Sequence, residues 1–187
     1  MKTLETPRLI LRKFAEDDFA DVHSYASCVE NVIYMPFGPN TEEDTRNYIN
    51  LAIKQAEEAP ITSYQYAVVY KETGRLIGGG GINAMGHAEV GWLLHRDYWN
   101  LGLGSEFGAE LLRFGFEELG IHRIIARCDA ANIASYRVME KLGMRREGLF
   151  IEARPAHKLS DKQYGDTLVY AILRREWLHD PNIGSQD

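Results

Sequence analysis

The chain has 187 residues, with 21 lysines and arginines against 27 aspartates and glutamates, so its formal net charge is −6. Hydrophobic residues make up 45% and charged residues 26% of the sequence, values that exclude intrinsic disorder for most of the chain. An acidic chain lacks the net positive charge of general nucleic-acid binding, so we expect no nucleic-acid partner. The length suits a single domain, which we place at residues 1–175, followed by a tail at residues 176–187 that we expect to fray.

The two cysteines, Cys28 and Cys128, belong to no CxxC pair and to no Cys/His cluster at metal-ligand spacing. We therefore expect no metal and no disulfide framework, and we interpret Cys128 as a small core residue rather than a nucleophile. The chain contains nothing near the ~20 consecutive apolar residues that span a bilayer. The expectation is a cytoplasmic protein without a membrane partner, present as a monomer or a homodimer.

The first half of the chain predicts a strand, two helices and three further strands. Alternating residues from Leu9 predict the first strand, and the acidic run 16–18 is typical of the start of a helix. Thr41, with Asp44 three residues later, indicates the N-cap of a second helix that ends before residue 60. Runs of β-branched and aromatic residues around glycine-containing turns then predict antiparallel strands at 64–70, 76–82 and 87–95.

The second half predicts two helices and three strands. A helix follows Trp99 and ends at Gly120, and a strand occupies residues 122–129. Asn132 is placed to cap the next helix, and strands at 145–153 and 167–174 follow it. The order β-α-α-β-β-β-α-β-α-β-β predicts an α+β (mixed α/β) fold, in which a mixed sheet is flanked by helices.

The segment from Trp92 to residue 112 runs from a strand through a glycine-containing loop into an amphipathic helix. Gly102 and Gly104 allow a ligand to approach the backbone closely, and the N–H groups of the first helical turn favour an anion such as phosphate. Ser105 adds a hydroxyl donor. The alternative is an ordinary strand-to-helix turn, in which the glycines make the backbone flexible but bind no ligand. Because position 107 is Phe, the segment is not a GxGxxG dinucleotide motif, and no GK[ST] follows.

Together with residues 129–148, this segment resembles the GNAT superfamily of acyl-CoA-dependent N-acetyltransferases. The run Trp99-Asn100-Leu101-Gly102-Leu103-Gly104 is similar to the family's Q/R-x-x-G-x-G/A phosphate loop, with Trp in the first position. The opening TPRLILR, the YW-x-x-G-x-G segment, the Asn132-x-x-Ser135 pair and the E-K-L-G run at 140–143 resemble the branch of ribosomal-protein N-terminal acetyltransferases. The resemblance covers about residues 6–175. It implies a central, mostly antiparallel sheet of about seven strands flanked by about four helices.

The resemblance implies transfer of an acetyl group from acetyl-CoA, a co-substrate that needs no metal, to a primary amine. The acceptor it implies is a protein N-terminal α-amine, possibly ribosomal, which attacks directly in a ternary complex. Two alternatives stay open: an acetyltransferase of a small molecule such as an antibiotic, a polyamine or an aminoacyl compound, and a CoA-binding sensor without catalysis. The residues that the resemblance assigns to the co-substrate are Trp92, Leu93, Leu94, Leu101, Gly102, Leu103, Gly104, Ser105, Asn132 and Ser135.

Acyl transfer to an amine needs a base, a donor to the oxyanion and a proton for the departing thiolate. The resemblance places a backbone N–H of Leu93 or Leu94 at the oxyanion and the carboxylate of Glu89 as the base acting through water. The alternative for Glu89 is a strand residue in an ion pair. His87 and His95 compete for the role of base, although a lone histidine in a strand is usually structural.

The general acid is less defined by the sequence. Many members of the family carry Tyr immediately before the E-K-x-G run, whereas this chain has Met139. Ser135 lies four residues earlier on the same helical face and is our first candidate, while Tyr136 is offset by about 60°. A mechanism without an acid is the alternative. For the acceptor we expect the aromatic loop that holds Tyr34, Met35 and Phe37 to form the pocket wall, with a lid over the core as the alternative.

Overall fold

The computed structural model describes residues 1–179 and consists of eight strands and six helices. The strands are β1 (Leu4–Glu5), β2 (Leu9–Arg12), β3 (Ser63–Tyr70), β4 (Leu76–Asn83), β5 (Ala88–Leu94), β6 (Arg123–Asp129), β7 (Arg145–Pro155) and β8 (Tyr164–Leu173). The helices are α1 (Phe19–Ala26), α2 (Val29–Val32), α3 (Glu42–Glu57), α4 (Leu103–Arg113), α5 (Ile133–Lys141) and α6 (Arg174–His179). Helix α4 continues into a π-helical turn at Phe114–Glu118.

All eight strands form one sheet in the order β1-β2-β3-β4-β5-β6-β8-β7. The β5–β6 pair is parallel and every other neighbouring pair is antiparallel. The predicted fold, a mixed and mostly antiparallel sheet flanked by helices, is therefore confirmed. The structure adds β1, α2 and α6 to the expected elements, because runs of two, four and six residues are too short to show a hydrophobic period.

The C-terminal helix α6 extends the packed chain beyond residue 175, where the sequence analysis placed the end of the domain. Its Trp177 is 7% exposed and its ring centroid lies 5.9 Å from that of Phe116. One buried side chain in a short segment gives no periodic signal, so the sequence analysis did not include this helix. The expected fraying of the tail concerns residues 180–187, which lie outside the described residues. The division into a single domain stays a prediction.

Helices cover both faces of the sheet. On one face α4 and α5 bury Phe107, Leu111 and Met139 against the central strands. On the other face α1 and α3 contribute Val22 and Ile49 to a second cluster. The N-cap predicted for α3 is confirmed: the Asp44 N–H donates to Thr41 Oγ1 at 3.1 Å, and the Asp44 carboxylate accepts from the Thr41 N–H at 2.9 Å. Within residues 1–179, no helix is long and apolar enough to cross a bilayer.

Strands β5 and β6 pair over only two positions, Ala88 with Ile124 and Glu89 with Ile125. Beyond Glu89, β5 stays paired with β4 while β6 stays paired with β8, so the two central strands diverge. Divergence leaves backbone groups of both strands without a neighbouring strand and opens a cleft in the middle of the sheet. Most of the residues selected from the sequence meet in this cleft.

Candidate active site

A cleft of about 1030 Å³ lies between the diverging halves of β5 and β6. Its walls come from β5, the first turn of α4, the cleft-facing side of α5, the end of β6 and the segment around Tyr34. The volume is at the upper end of what ligand-binding clefts in proteins span, and it suits an extended ligand. The lining includes both the start of α4 and the Tyr34 segment, so the cleft brings the glycine loop and the aromatic loop into one site.

The start of α4 has the geometry of an anion site. Gly102 is the N-cap, with φ of +78°, a left-handed conformation that favours glycine. Its carbonyl accepts from the N–H groups of Ser105 and Glu106, both at 3.1 Å. The preceding N–H groups of the first turn have no acceptor within the helix, and they lie where Leu103 and Gly104 line the cleft. The structure thus brings the predicted glycine loop to one end of the cleft.

Leu101 is the exception among the residues assigned to the loop, since its side chain is 51% exposed and does not lie on the described cleft wall. The chain turns through Asn100, with φ of 60°, and Gly102, and this turn directs Leu101 outward. Its contribution is a backbone carbonyl that accepts from Arg8 Nη1 at 2.9 Å. Ser105, by contrast, is 6% exposed and lies on the wall.

Successive backbone N–H groups of β5 point alternately toward β4 and toward the cleft. Leu93 and Leu94 therefore point their N–H groups to opposite sides. The N–H of His95 donates to the carbonyl of Ile77 in β4 at 2.7 Å. Every second N–H along an antiparallel strand faces the same neighbour, so the N–H of Leu93 also faces β4. The N–H groups of Trp92 and Leu94 consequently face the open cleft. Of the two residues named for the oxyanion donor, the geometry favours Leu94.

Trp99, which replaces the polar residue of the family loop, holds the end of β5. Its indole N–H donates to the carbonyl of Leu94 at 2.8 Å, and Asn31 Nδ2 donates to the same oxygen at 2.7 Å. Asn31 is 5% exposed, and its Oδ1 accepts from the N–H of Arg96 at 3.2 Å. The sequence analysis missed Asn31, because no spacing relates it to β5.

Glu89 lies in the cleft and forms an ion pair with Arg127. Its Oε1 accepts from Arg127 Nε at 3.0 Å, and Oε2 accepts from Nη2. The hydrogen bonds and the charge of Glu89 raise the pKa of Arg127 above its ordinary value. The side chain of Glu89 is 30% exposed, which leaves it open to water. The ion pair that the sequence analysis named as the alternative is therefore present, and the role of base stays a prediction.

Arg127 was not predicted from the sequence, although strand geometry explains its place. Glu89 is opposite Ile125 in the parallel pair, and side chains two residues apart share a face, so Arg127 is on the face of Glu89. Only the pairing of β5 with β6 reveals this relation. Neither His87 nor His95 is on the described cleft wall. His95 accepts instead from the N–H of Asp97 at 3.2 Å.

The N-terminus of α5 presents Ser135 to the cleft. Asn132 caps the helix, and its Oδ1 accepts from the Ser135 N–H at 3.1 Å. Burial raises the pKa of the neighbouring Cys128 thiol to about 11 despite a hydrogen bond with Ser135. Cys128 accordingly stays protonated, in agreement with the expectation that it is no nucleophile, but it is half-buried and lines the cleft rather than the core.

Tyr136, the second candidate for the acid, faces away from the cleft. It lines a separate cavity of about 470 Å³ together with Glu140 and Tyr170. Met139, at the position of the family's tyrosine, is 1% exposed and lies at the base of the main cleft. Of the two substitutes weighed from the sequence, only Ser135 shares the cleft with Glu89.

The sequence analysis placed the acceptor at the Tyr34 segment, and we call this part of the cleft the acceptor end for that reason; its role in binding stays a prediction. Tyr34 and Met35 line it, whereas Phe37 is 41% exposed and is not on the described wall. The chain reverses at Gly38, where φ is +82°, and the side chain of Phe37 faces outward. The predicted wall therefore holds for two of the three aromatic-loop residues.

The far side of the acceptor end was missed by the sequence analysis. It is formed by the ion pair of Asp129 with Arg154 and by Phe150 and Thr167. The register between β7 and β8 shifts between Phe150 and Arg154, next to Glu152 with φ of 48°. The shift turns Arg154 toward the cleft, and an irregularity of this kind has no signature in a single sequence.

The fold and the cleft agree with the comparisons with known proteins. The family profile described as "Acetyltransferase (GNAT) domain" matches residues 8–145, and the chain belongs to this family. Family membership makes acetyl-CoA the co-substrate and the protein an N-acetyltransferase. The family predicted from the sequence is confirmed.

Three similar proteins show the range of the match. YnaD of Bacillus subtilis, an uncharacterized N-acetyltransferase, is 36% identical over 182 residues, which cover 93% of this chain and 98% of YnaD. A GNAT-family acetyltransferase from Bacillus anthracis is also 36% identical, with a TM-score of 0.81 over 93% of this chain and 99% of that one. The ribosomal-protein-S5-alanine acetyltransferase from Vibrio fischeri has a TM-score of 0.78 over 95% of this chain and 99% of its own, but at 16% identity it shares the fold alone.

Proposed function

We propose that the protein acetylates a protein N-terminal α-amine by direct attack on acetyl-CoA in a ternary complex. The observation that carries this proposal is the divergence of β5 and β6 after Glu89, which creates one cleft lined by the start of α4, by Glu89 and by the Tyr34 segment. A cleft that holds both ligands side by side lets the thioester and the amine meet without a covalent enzyme intermediate.

The chain's own groups suit acetyl-CoA. The first turn of α4 offers N–H donors to the pyrophosphate, and the exposed backbone edge of β5 offers N–H and C=O groups to the amides of the pantetheine arm. Asn132 and Ser135 face the same channel from α5. These residues position the thioester between Leu94 and the acceptor end of the cleft.

The reaction forms a bond from the amine nitrogen to the acetyl carbon and breaks the bond from that carbon to sulfur. The N–H of Leu94 faces the cleft and is placed to stabilise the negative charge that develops on the carbonyl oxygen. Glu89 accepts the proton of the attacking amine through water, and Ser135 supplies a proton to the departing thiolate, replenished from solvent. Arg127 balances the charge of Glu89 before the amine binds.

A second candidate, a small-molecule acceptor, is favoured by a contact across the acceptor end. His157 Nε2 lies 3.1 Å from the carbonyl of Gly38, and Lys158 Nζ donates to the carbonyl of Pro39 at 3.4 Å. These bonds join the loop after β7 to the loop after α2, which carries Tyr34 and Met35 of the cleft wall. A wall held in place in this way suits a small amine of fixed shape better than protein N-termini with varied side chains.

Intact-mass analysis and free-thiol release test the proposal with one acceptor panel. The panel contains peptides with free α-amines, the same peptides N-acetylated, polyamines and aminoacyl compounds. We expect peptide acetylation at the α-amine with equal release of CoA, and none with the blocked peptides. Acetylation of small amines alone would establish the second candidate. Binding of acetyl-CoA without release of CoA from any member would establish the sensor.

A further inference from the structure

Arg8, in the TPRLILR segment before β2, lies against the glycine loop of the co-substrate site. Its Nη1 donates to the carbonyl of Leu101 at 2.9 Å. Its Nη2 is 3.4 Å from the position that a Cβ on Gly102 would occupy. A guanidinium therefore adjoins the loop at which the phosphates of CoA are proposed to bind.

Glu106, in the first turn of α4, holds Arg8 in this place. One carboxylate oxygen accepts from the Arg8 N–H at 2.8 Å and from Thr6 Oγ1 at 2.5 Å, and the other accepts from Arg8 Nε at 2.6 Å. Burial opposes ionisation of Glu106, but the bonds from Thr6 and Arg8 outweigh burial and hold its pKa below the ordinary value. Glu106 is therefore ionised at neutral pH.

The ionised carboxylate of Glu106 affects how well the start of α4 can bind phosphate. The positive end of the helix dipole attracts phosphate, but a carboxylate in the same turn repels it. Arg8 cancels the charge of Glu106 and still has donors to spare, because within residues 1–179 its Nη2 makes no hydrogen bond. The side chain of Arg8 is 41% exposed, which leaves Nη2 accessible.

We infer that Nη2 of Arg8 donates a charge-assisted hydrogen bond to a phosphate group of CoA, and that Glu106 and Thr6 are positioning residues for this guanidinium. The inference rests on the proposed binding of acetyl-CoA at the Gly102 loop. Guanidinium groups pair with phosphate oxygens through their planar donors while using other donors elsewhere, as Arg8 does with Leu101 and Glu106. Two phosphate sources are available in CoA: the pyrophosphate and the ribose 3′-phosphate.

Strand β2 supplies a matched control. Arg12 forms an ion pair with Asp18 at 2.6 Å, the same distance as in the Arg8–Glu106 pair. The exposed fractions are also alike, at 34% and 8% for Arg12 and Asp18 against 41% and 10% for Arg8 and Glu106. Asp18 precedes α1, away from the glycine loop. Arg8→Gln and Arg12→Gln thus remove comparable ion pairs with different neighbours.

The test measures the dissociation constant of CoA by calorimetry, and thermal unfolding, on the full-length protein and both variants. We expect Arg8→Gln to weaken CoA binding about tenfold and Arg12→Gln less than about twofold, with similar losses in melting temperature. With dephospho-CoA, a persisting difference would assign the bond to the pyrophosphate, and a vanishing one to the 3′-phosphate. Equal effects of the two variants on CoA binding would overturn the inference.

A double-mutant cycle tests the positioning role of Glu106. If Glu106 favours CoA binding only by holding Arg8, then adding Glu106→Gln to Arg8→Gln should cause no further loss of CoA affinity, and removal of the repelling carboxylate should regain part of it. Additive losses would contradict this role. Absence of CoA binding by the unaltered protein would refute the proposed function itself and is distinguishable from both results.

Discussion

Glu89 is the residue on which the proposed chemistry depends most. Glu89→Gln keeps the size of the side chain but removes the proton acceptor, so kcat near neutral pH should fall about 100-fold while the affinity for acetyl-CoA stays similar. The deficit should narrow at high pH, because more of the acceptor amine is already neutral. Steady-state kinetics over a pH series, with the acceptor identified from the panel, measure both effects.

His87→Ala is the control for Glu89→Gln, since His87 is exposed in the turn before β5 and off the described cleft wall. This variant should retain nearly full kcat. If Glu89→Gln kept its rate across the pH series while His87→Ala or His95→Ala lost it, the base would be a histidine. Glu89 would then be the partner of Arg127 and nothing more.

Ser135 and Tyr136 are neighbours in sequence that face different cavities, and this makes them a natural pair for testing the acid. Ser135→Ala should lower kcat about tenfold if the hydroxyl meets the thiolate only as it forms, with little change in acetyl-CoA affinity. Tyr136→Phe should leave kcat unchanged. A loss confined to acetyl-CoA affinity in Ser135→Ala would make Ser135 a binding residue and leave the acid unassigned.

At the scale of elements, the start of α4 can be compared with a glycine at a helix end elsewhere in the fold. Gly102 and Gly120 both have left-handed φ, at +78° and +67°, so an alanine at either position should cost about 1 kcal/mol of stability. Only Gly102 lines the cleft. Calorimetry should show CoA binding weakened about tenfold in Gly102→Ala and unchanged in Gly120→Ala; equal affinities in the two folded variants would move the phosphate site elsewhere.

The elements predicted from the sequence are those in which many residues follow one hydrophobic period. Helix α3 shows both a capping pair and a repeated apolar stripe, so its start and its extent follow from local interactions. The two-residue β1 carries no period and exists because β2 completes its hydrogen bonds, and the four-residue α2 is too short to show a period. Local patterns cannot report such dependence.

At the scale of the whole molecule, an exposed ion-pair cluster joins β6, β7 and α6. Hydrogen bonds and charge from Arg123 and Arg145 lower the pKa of Glu147 to about 2, although burial opposes the shift. A carboxylate with a depressed pKa stabilises the fold fully above its unfolded value near 4.5, and that contribution is lost as the pH falls toward 2. Because Glu147 is largely solvated, the contribution should be modest.

Urea unfolding from neutral pH to about pH 3 tests this linkage. Glu147→Gln should have a lower unfolding midpoint than the unaltered protein at neutral pH. The gap should narrow as the pH falls from about 4.5 toward 3, because the unfolded chain takes up a proton at Glu147 in this range before the folded protein does. Glu57→Gln, at the exposed end of α3, is the control. Its unfolding midpoint at neutral pH should differ from that of the unaltered protein by less than that of Glu147→Gln, because Glu57 is not bonded to Arg123. A constant gap for Glu147→Gln at every pH would contradict the assigned cause.

The sequence by itself determined the long elements, the family and the glycine loop, because each depends on residues close together in the chain whose spacing sets their local geometry. It also selected Glu89 and Ser135 as residues of one site. Only the tertiary structure decided their neighbours. The partnership of Glu89 with Arg127, the direction of the Leu94 N–H toward the cleft and the place of Arg8 beside Gly102 all depend on which strands pair and where β5 and β6 stop pairing. That stopping point is a property of packed elements on both faces of the sheet, and residues far apart in the chain meet only after the packing has formed.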